Sequence, residues 1–196
     1  MALNLTNSDI VSALPILADI HEKADSGTTS TLNALTLQTL NDEEVVGSTL
    51  CILNGSLKGS DITVTGYTDG VLSFDAQASA ITNTTIFGLV YKDYASYIER
   101  AEVIISNQFR NKSKDLSKFL TTSQLKELHL LKTLELICLA KRKDASSEDI
   151  YHINYMDFRE SYSNELLTLR ADYDADDSGE ISEDEEKISN QVRLRK

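Results

Sequence analysis

The strongest constraint on the fold is a change of texture near residues 91–94. Upstream, from about residue 28, the chain is rich in Thr, Ser, Gly and β-branched residues, and six of its eight glycines fall between Gly47 and Gly88. Downstream, through residue 172, apolar residues recur every three or four positions. A strand alternates its faces with a period of two and a helix with a period of 3.6. The two stretches therefore demand different architectures, and the chain is read as α+β: a mainly helical body of three to four helices, an inserted small antiparallel β-sheet module and an extended C-terminal tail.

In the first stretch, STLCILNGSLKGSDITVTGYTDGVLSFD predicts three strands at 50–53, 62–66 and 71–74. Ile62 and Val64 lie on one face of the middle strand, with Thr63 and Thr65 on the other. Asp69 and Gly70 supply the positive φ of a tight hairpin. The glycines of NGSLKGS are read as turn glycines, because the loop lacks the terminal Gly-Lys-Ser/Thr and the following helix of a phosphate cradle.

In the second stretch, Tyr94, Ile98, Ala101, Ile105 and Phe109 make one apolar stripe. A helix over 123–139 is apolar on several sides and is therefore expected at the centre, with Thr121 or Thr122 as its cap. A third, over about 147–171, starts from Ser147 and carries Ile150, Ile153, Phe158, Tyr162, Leu166 and Leu169 as an imperfect stripe. Before the sheet, Ile10, Leu14, Leu17 and Ile20 predict a helix from Asn7 or Ser8 that Pro15 breaks or kinks. The expected divisions are 1–27 as an N-terminal helical part of the body, 28–91 as the β module, 92–172 as the helical body, 173–186 as an acidic loop and 187–196 as an extended arm.

The acidic loop reads YDADDSGEISEDEE. Counted from Asp174, it meets the calcium-loop pattern: Asp174, Asp176, Ser178, the carbonyl of Glu180, Ser182 through water and Glu185, with Gly179 at the turn and Ile181 behind it. Ca2+ is therefore a candidate ligand. The bland alternative is a solvated acidic turn at a helix end with Gly179 as its cap. The loop is single, and Ile188, Val192 and Leu194 make no helical stripe after it, so a two-helix calcium sensor is not expected. In the tail NQVRLRK, Val192 and Leu194 alternate with Arg193 and Arg195, as in a strand.

A formal charge of −12, from 19 basic and 31 acidic residues, argues against a protein that grips phosphate backbones. Cys51 and Cys138 form no C-x-x-C and are read as buried apolar residues. His21, His129 and His152 lack partners at metal-ligand spacing, and no nucleophile elbow or P-loop is present, so no catalytic residue is assigned and an enzyme is not expected. The N-terminal residues lack the pattern of a signal peptide, which predicts a cytoplasmic, non-membrane protein.

Three stretches together resemble the head-tail connector (adaptor, or head-completion) proteins of tailed bacteriophages. They are FRNKSKDLSKFLTTSQLKELHLLKTLELICLA with YMDFRESYSNELLTLR, then YDADDSGEISEDEEKISNQVRLRK, and the β segment GSTLCILNGSLKGSDITVTGYTDGVLSFD. The resemblance implies a structural virion protein assembled in the bacterial cytoplasm. It would form a ring, usually of twelve copies, that docks under the portal protein, meets the next neck or tail protein and lets double-stranded DNA pass. It further implies that residues 190–196 dock on a partner through Val192, Arg193, Leu194 and Arg195. The expectation from a different class is a stand-alone calcium-binding interaction protein.

Overall fold

The computed structural model describes residues 4–111, 114–119, 122–143, 148–169, 173–174 and 178–180. The chain divides into two compact units, Thr6–Ala95 and, from Ser96 onward, a second that also takes in Met1–Leu5. The fold is α+β: among the described residues there are five helices and a seven-stranded antiparallel half-barrel sheet.

The first unit opens with α1, Asn7–Ala13. Its cap is Thr6, one residue earlier than expected. Thr6 Oγ1 accepts the N–H of Asp9 at 3.2 Å, while Asp9 Oδ2 accepts the N–H of Thr6 at 3.0 Å. The neighbouring N–H groups of Asn7 and Ser8 donate to the two carboxylate oxygens of Asp61, at 2.7 and 2.8 Å. Every orphan donor of the first turn thus has an acceptor, and a carboxylate sits where the helix dipole favours one. Leu14 ends the helix and Pro15 opens a 3-10 turn, Pro15–Leu17, so the break at proline occurs as the sequence predicts.

After that turn the chain becomes strand, inside the stretch 1–27 that the sequence assigns to the helical body. β1, Ile20–Lys23, pairs with β7, Ile86–Val90. Two residues later β2, Ser26–Gly27, pairs with β3, Thr31–Asn33. The remaining strands are β4, Thr49–Ile52, β5, Asp61–Thr68, and β6, Val71–Phe74, giving the order β1-β7-β4-β5-β6-β3-β2. Residues 20–27 therefore belong to the sheet, and the segment 1–27 expected in the helical body contributes the sheet's two edges instead.

That order forces curvature. Laid flat, β1 and β2 would stand six strand spacings apart, about 29 Å. The three-residue step from Lys23 to Ser26 spans at most about 11 Å. The sheet must curl until its edges approach, and the hydrogen bonds record the switch of partner: the N–H of Ala24 donates to Thr85 at 2.8 Å and that of Asp25 to Asn33 at 2.8 Å.

The hairpin at Asp69 (φ 47°) and Gly70 (φ 86°) is as predicted. Ile62 and Val64 face the core, with Thr63 and Thr65 exposed. Leu32, Leu37, Leu50, Ile52, Leu72, Phe74, Phe87 and Leu89 form that core. NGSLKGS is the turn between β4 and β5. A short helix, α2 (Asp42–Val45), links β3 to β4.

The second unit contains α3 (Ala95–Arg110), α4 (Thr122–Lys141) and α5 (Ile150–Thr168). The α3 stripe buries Ala101, Ile105 and Phe109. Along α4, every residue from Thr133 to Cys138 is buried, as expected of a central helix. Thr121 lies outside the described residues, and Thr122 is the first residue of the helix. The cap of α5 is Asp149, whose Oδ1 accepts the N–H of Tyr151 and His152; Ser147 lies outside the described residues.

Polar groups stitch the three helices together. Lys132 pairs with buried Glu135 at 2.7 Å and lies 4.7 Å over the Tyr162 ring. The Tyr162 hydroxyl donates to Gln108, and burial raises its pKa. His129 is buried with Nε2 at 2.8 Å from the carbonyl of Ile98, which makes Nε2 the protonated nitrogen. Cys51 and Cys138 are both buried and unbridged. Burial pushes each thiol up to about 12, with the Asp61 carboxylate adding to it at Cys51, so neither is a nucleophile at neutral pH. No helix among the described residues is long and apolar enough to cross a membrane.

Candidate functional site

The acidic loop begins where the chain is pinned. Tyr173 forms a single antiparallel bridge with Phe119, and the N–H of Asp174 donates to the carbonyl of Lys118 at 2.8 Å. The Tyr173 ring meets Phe119 edge-on at 5.0 Å, and Phe119 meets Phe109 at 5.1 Å. Lys114 Nζ lies 4.1 Å over the Tyr173 ring, and burial lowers the pKa of that ammonium. The N–H of Asp115 donates to the Tyr173 hydroxyl at 3.4 Å.

Asp174 is only 4% exposed, deep enough that its carboxylate requires donors. Oδ1 accepts the N–H of Ser178 at 3.1 Å and Oδ2 that of Gly179 at 2.8 Å. Gly179 reaches this geometry at φ 82°, the left-handed region that glycine enters without a Cβ penalty. Ser178 Oγ donates to the Glu180 carbonyl at 2.9 Å. Positions 1, 5, 6 and 7 of the predicted loop are thereby wound into one turn about the Asp174 carboxylate.

The structure brings Asp174, Ser178 and Glu180 together. Asp176, Ser182 and Glu185 lie outside the described residues, as do Val192, Arg193, Leu194 and Arg195. Among the described residues no group of three His, Cys, Asp or Glu side chains is placed to hold a metal. The anchors Lys118, Phe119 and Tyr173 were not singled out from sequence. Their contacts join segments far apart in the chain, and no local pattern marks them.

A second surface lies on α5, where the predicted stripe splits. Tyr162, Leu166 and Leu169 pack into the helical core. Ile150, Ile153 and Met156, each three residues from the next, are 51%, 39% and 47% exposed. At that spacing they form one row on the helix surface. The histidines stand apart from one another: His21 is exposed on β1, His129 is buried on α4, and His152 is half-buried with its Nδ1 3.4 Å from Arg142.

Compared with family models, with characterised proteins and with solved structures, the chain finds no match in any of the three.

Proposed function

We propose that the protein is a structural subunit of a phage head-tail connector. It assembles into a ring beneath the portal, joins the capsid vertex to the next neck or tail component, and leaves a lumen for DNA. The observation that carries this reading is the apolar row Ile150, Ile153 and Met156 on α5. Such a row on a helix already packed on its other side suits a contact with a neighbouring subunit. The helical unit supplies the ring contact. The turn at Asp174 redirects the chain from that unit into the arm at 190–196, and the arm carries Val192, Arg193, Leu194 and Arg195 to a partner. Carboxylates in excess over basic groups suit a channel that passes DNA without holding it.

Rings are expected in electron micrographs of the purified protein, and antibody against it is expected to label the virion neck. Ile153→Asp places a carboxylate in the subunit contact and is expected to raise the concentration needed for rings at least about tenfold, a change of about 1.4 kcal/mol. Wild-type protein that stays monomeric by light scattering, together with unlabelled necks, overturns the reading.

A second reading is favoured by the fixed Asp174 carboxylate: the loop takes calcium through Asp174, Asp176, Ser178, the Glu180 carbonyl and Glu185. The ion would offset repulsion among the acids and stiffen the turn. At a free calcium concentration about tenfold over Kd, binding adds about 1.4 kcal/mol and raises the melting temperature by about 4 °C. Asp174→Asn should remove that shift. No heat and no shift at millimolar calcium eliminates the metal.

A further inference from the structure

An open groove of about 530 Å³ runs along α3 to the segment after it. Among the described residues its lining carries three carboxylates, Glu99, Glu102 and Asp115, against one guanidinium, Arg110, and two apolar side chains, Val103 and Leu116. Val103 is 59% exposed, so the apolar part of the groove is open to water. The surface is thus acidic with an apolar strip.

We propose that this groove binds residues 187–196 of the same chain. Three observations select that occupant. The segment KISNQVRLRK carries Lys187, Arg193, Arg195 and Lys196 and no acidic residue, which complements the groove's charge. Val192 and Leu194, alternating with the two arginines, match the apolar strip beside the carboxylates. The chain also leaves from the groove's rim: Asp115, which lines it, donates its N–H to the hydroxyl of Tyr173, one residue before the acidic turn. From Glu180, the following residues reach about 3.3 Å each when extended, far enough for 187–196 to return along α3. Guanidinium groups can take Glu99 and Glu102 in forked pairs while the aliphatic side chains cover Val103 and Leu116. This interaction needs only the chain itself and belongs to the unassembled subunit; the connector reading concerns the same segment after it leaves the groove for a partner.

The test uses the full chain with Val103 replaced by the photocrosslinker p-benzoylphenylalanine, irradiated and mapped by mass spectrometry. Crosslinks into residues 187–196 are expected. Their yield should fall about tenfold in Glu99→Lys/Glu102→Lys and in Arg193→Glu/Arg195→Glu, and at about 1 M salt, where the screening length is ~3 Å. Combining the two charge reversals in one chain should restore the yield, which a misfolded variant would not do. Crosslinks confined to other segments overturn the proposal, as does a yield indifferent to the charge reversals. In a mixture of isotopically heavy and light chains, crosslinks joining heavy to light assign the groove to a second copy and overturn the same-chain occupant.

Discussion

Phe119→Ala is expected to lower the unfolding free energy by about 3–5 kcal/mol. The side chain is fully buried, and its ring is the middle member of the row Phe109, Phe119 and Tyr173. Truncation removes its transfer free energy and leaves a cavity that two large rings cannot fill without moving. It also removes two edge-to-face contacts worth about 0.5–1.5 kcal/mol each beyond area. The effect should extend beyond the core. With Tyr173 no longer held, the bridge to Phe119 and the bond from Asp174 to Lys118 lose their support, and the amides of Ser178 and Gly179 should exchange faster with solvent. Urea denaturation checks the first claim and hydrogen exchange the second. Phe119→Leu, which keeps most of the volume, should recover more than half of the stability. A loss below about 1 kcal/mol for the alanine variant would contradict the core described above.

The second large effect is at Gly27. A Cβ there would come 2.6 Å from the carbonyl oxygen of Thr31 and 2.8 Å from Cβ of Ile81. Neither obstacle is the tip of a flexible chain, so the backbone of the β2–β3 pair must yield at the place where the sheet curls back on itself. Gly27→Ala is expected to cost about 3 kcal/mol, the upper range for overpacking. Gly66→Ala is the matched comparison. Its Cβ would meet Ser73 at 3.5 Å, an ordinary contact, and the change should stay within about 1 kcal/mol. Equal urea midpoints for the two variants would show that the edge at Gly27 is looser than its geometry implies.

Much of this architecture was legible in the sequence, for identifiable reasons. The hairpin at Asp69 and Gly70, the α3 stripe and the central place of α4 are local patterns, and each is written within a few turns of chain. β7 was missed because Phe87, Gly88, Leu89 and Val90 are all buried, so the strand shows no alternation. β1 was missed because Ile20 completed an apparent helical spacing with Leu17, although Pro15 had already ended the helix. The cap was misplaced by one residue even though Thr6 and Asp9 carry a readable three-residue spacing. Asp61 could not be linked to α1 from sequence, since a carboxylate at a strand start announces nothing about a helix far away in the chain. On α5 the stripe was read as one face, yet Ile150 and Ile153 stand outside the core; periodicity marks apolar positions but does not say which partner covers them. At the acidic loop the spacing puts Gly179 at the turn, and its φ is the left-handed one; Asp174, read from the spacing as a calcium ligand, accepts the N–H groups of Ser178 and Gly179. The aromatic anchor that holds its entrance is a tertiary contact.

The curled sheet has one more consequence. A sheet can recruit a foreign strand only along an edge with unpaired backbone groups. Here the edges are β1, four residues with His21 and Glu22 and Lys23 among them, and β2, of two residues. Edges so short, and in β1 so polar, offer little template for strand addition. Many copies of this chain could crowd together without their sheets fusing.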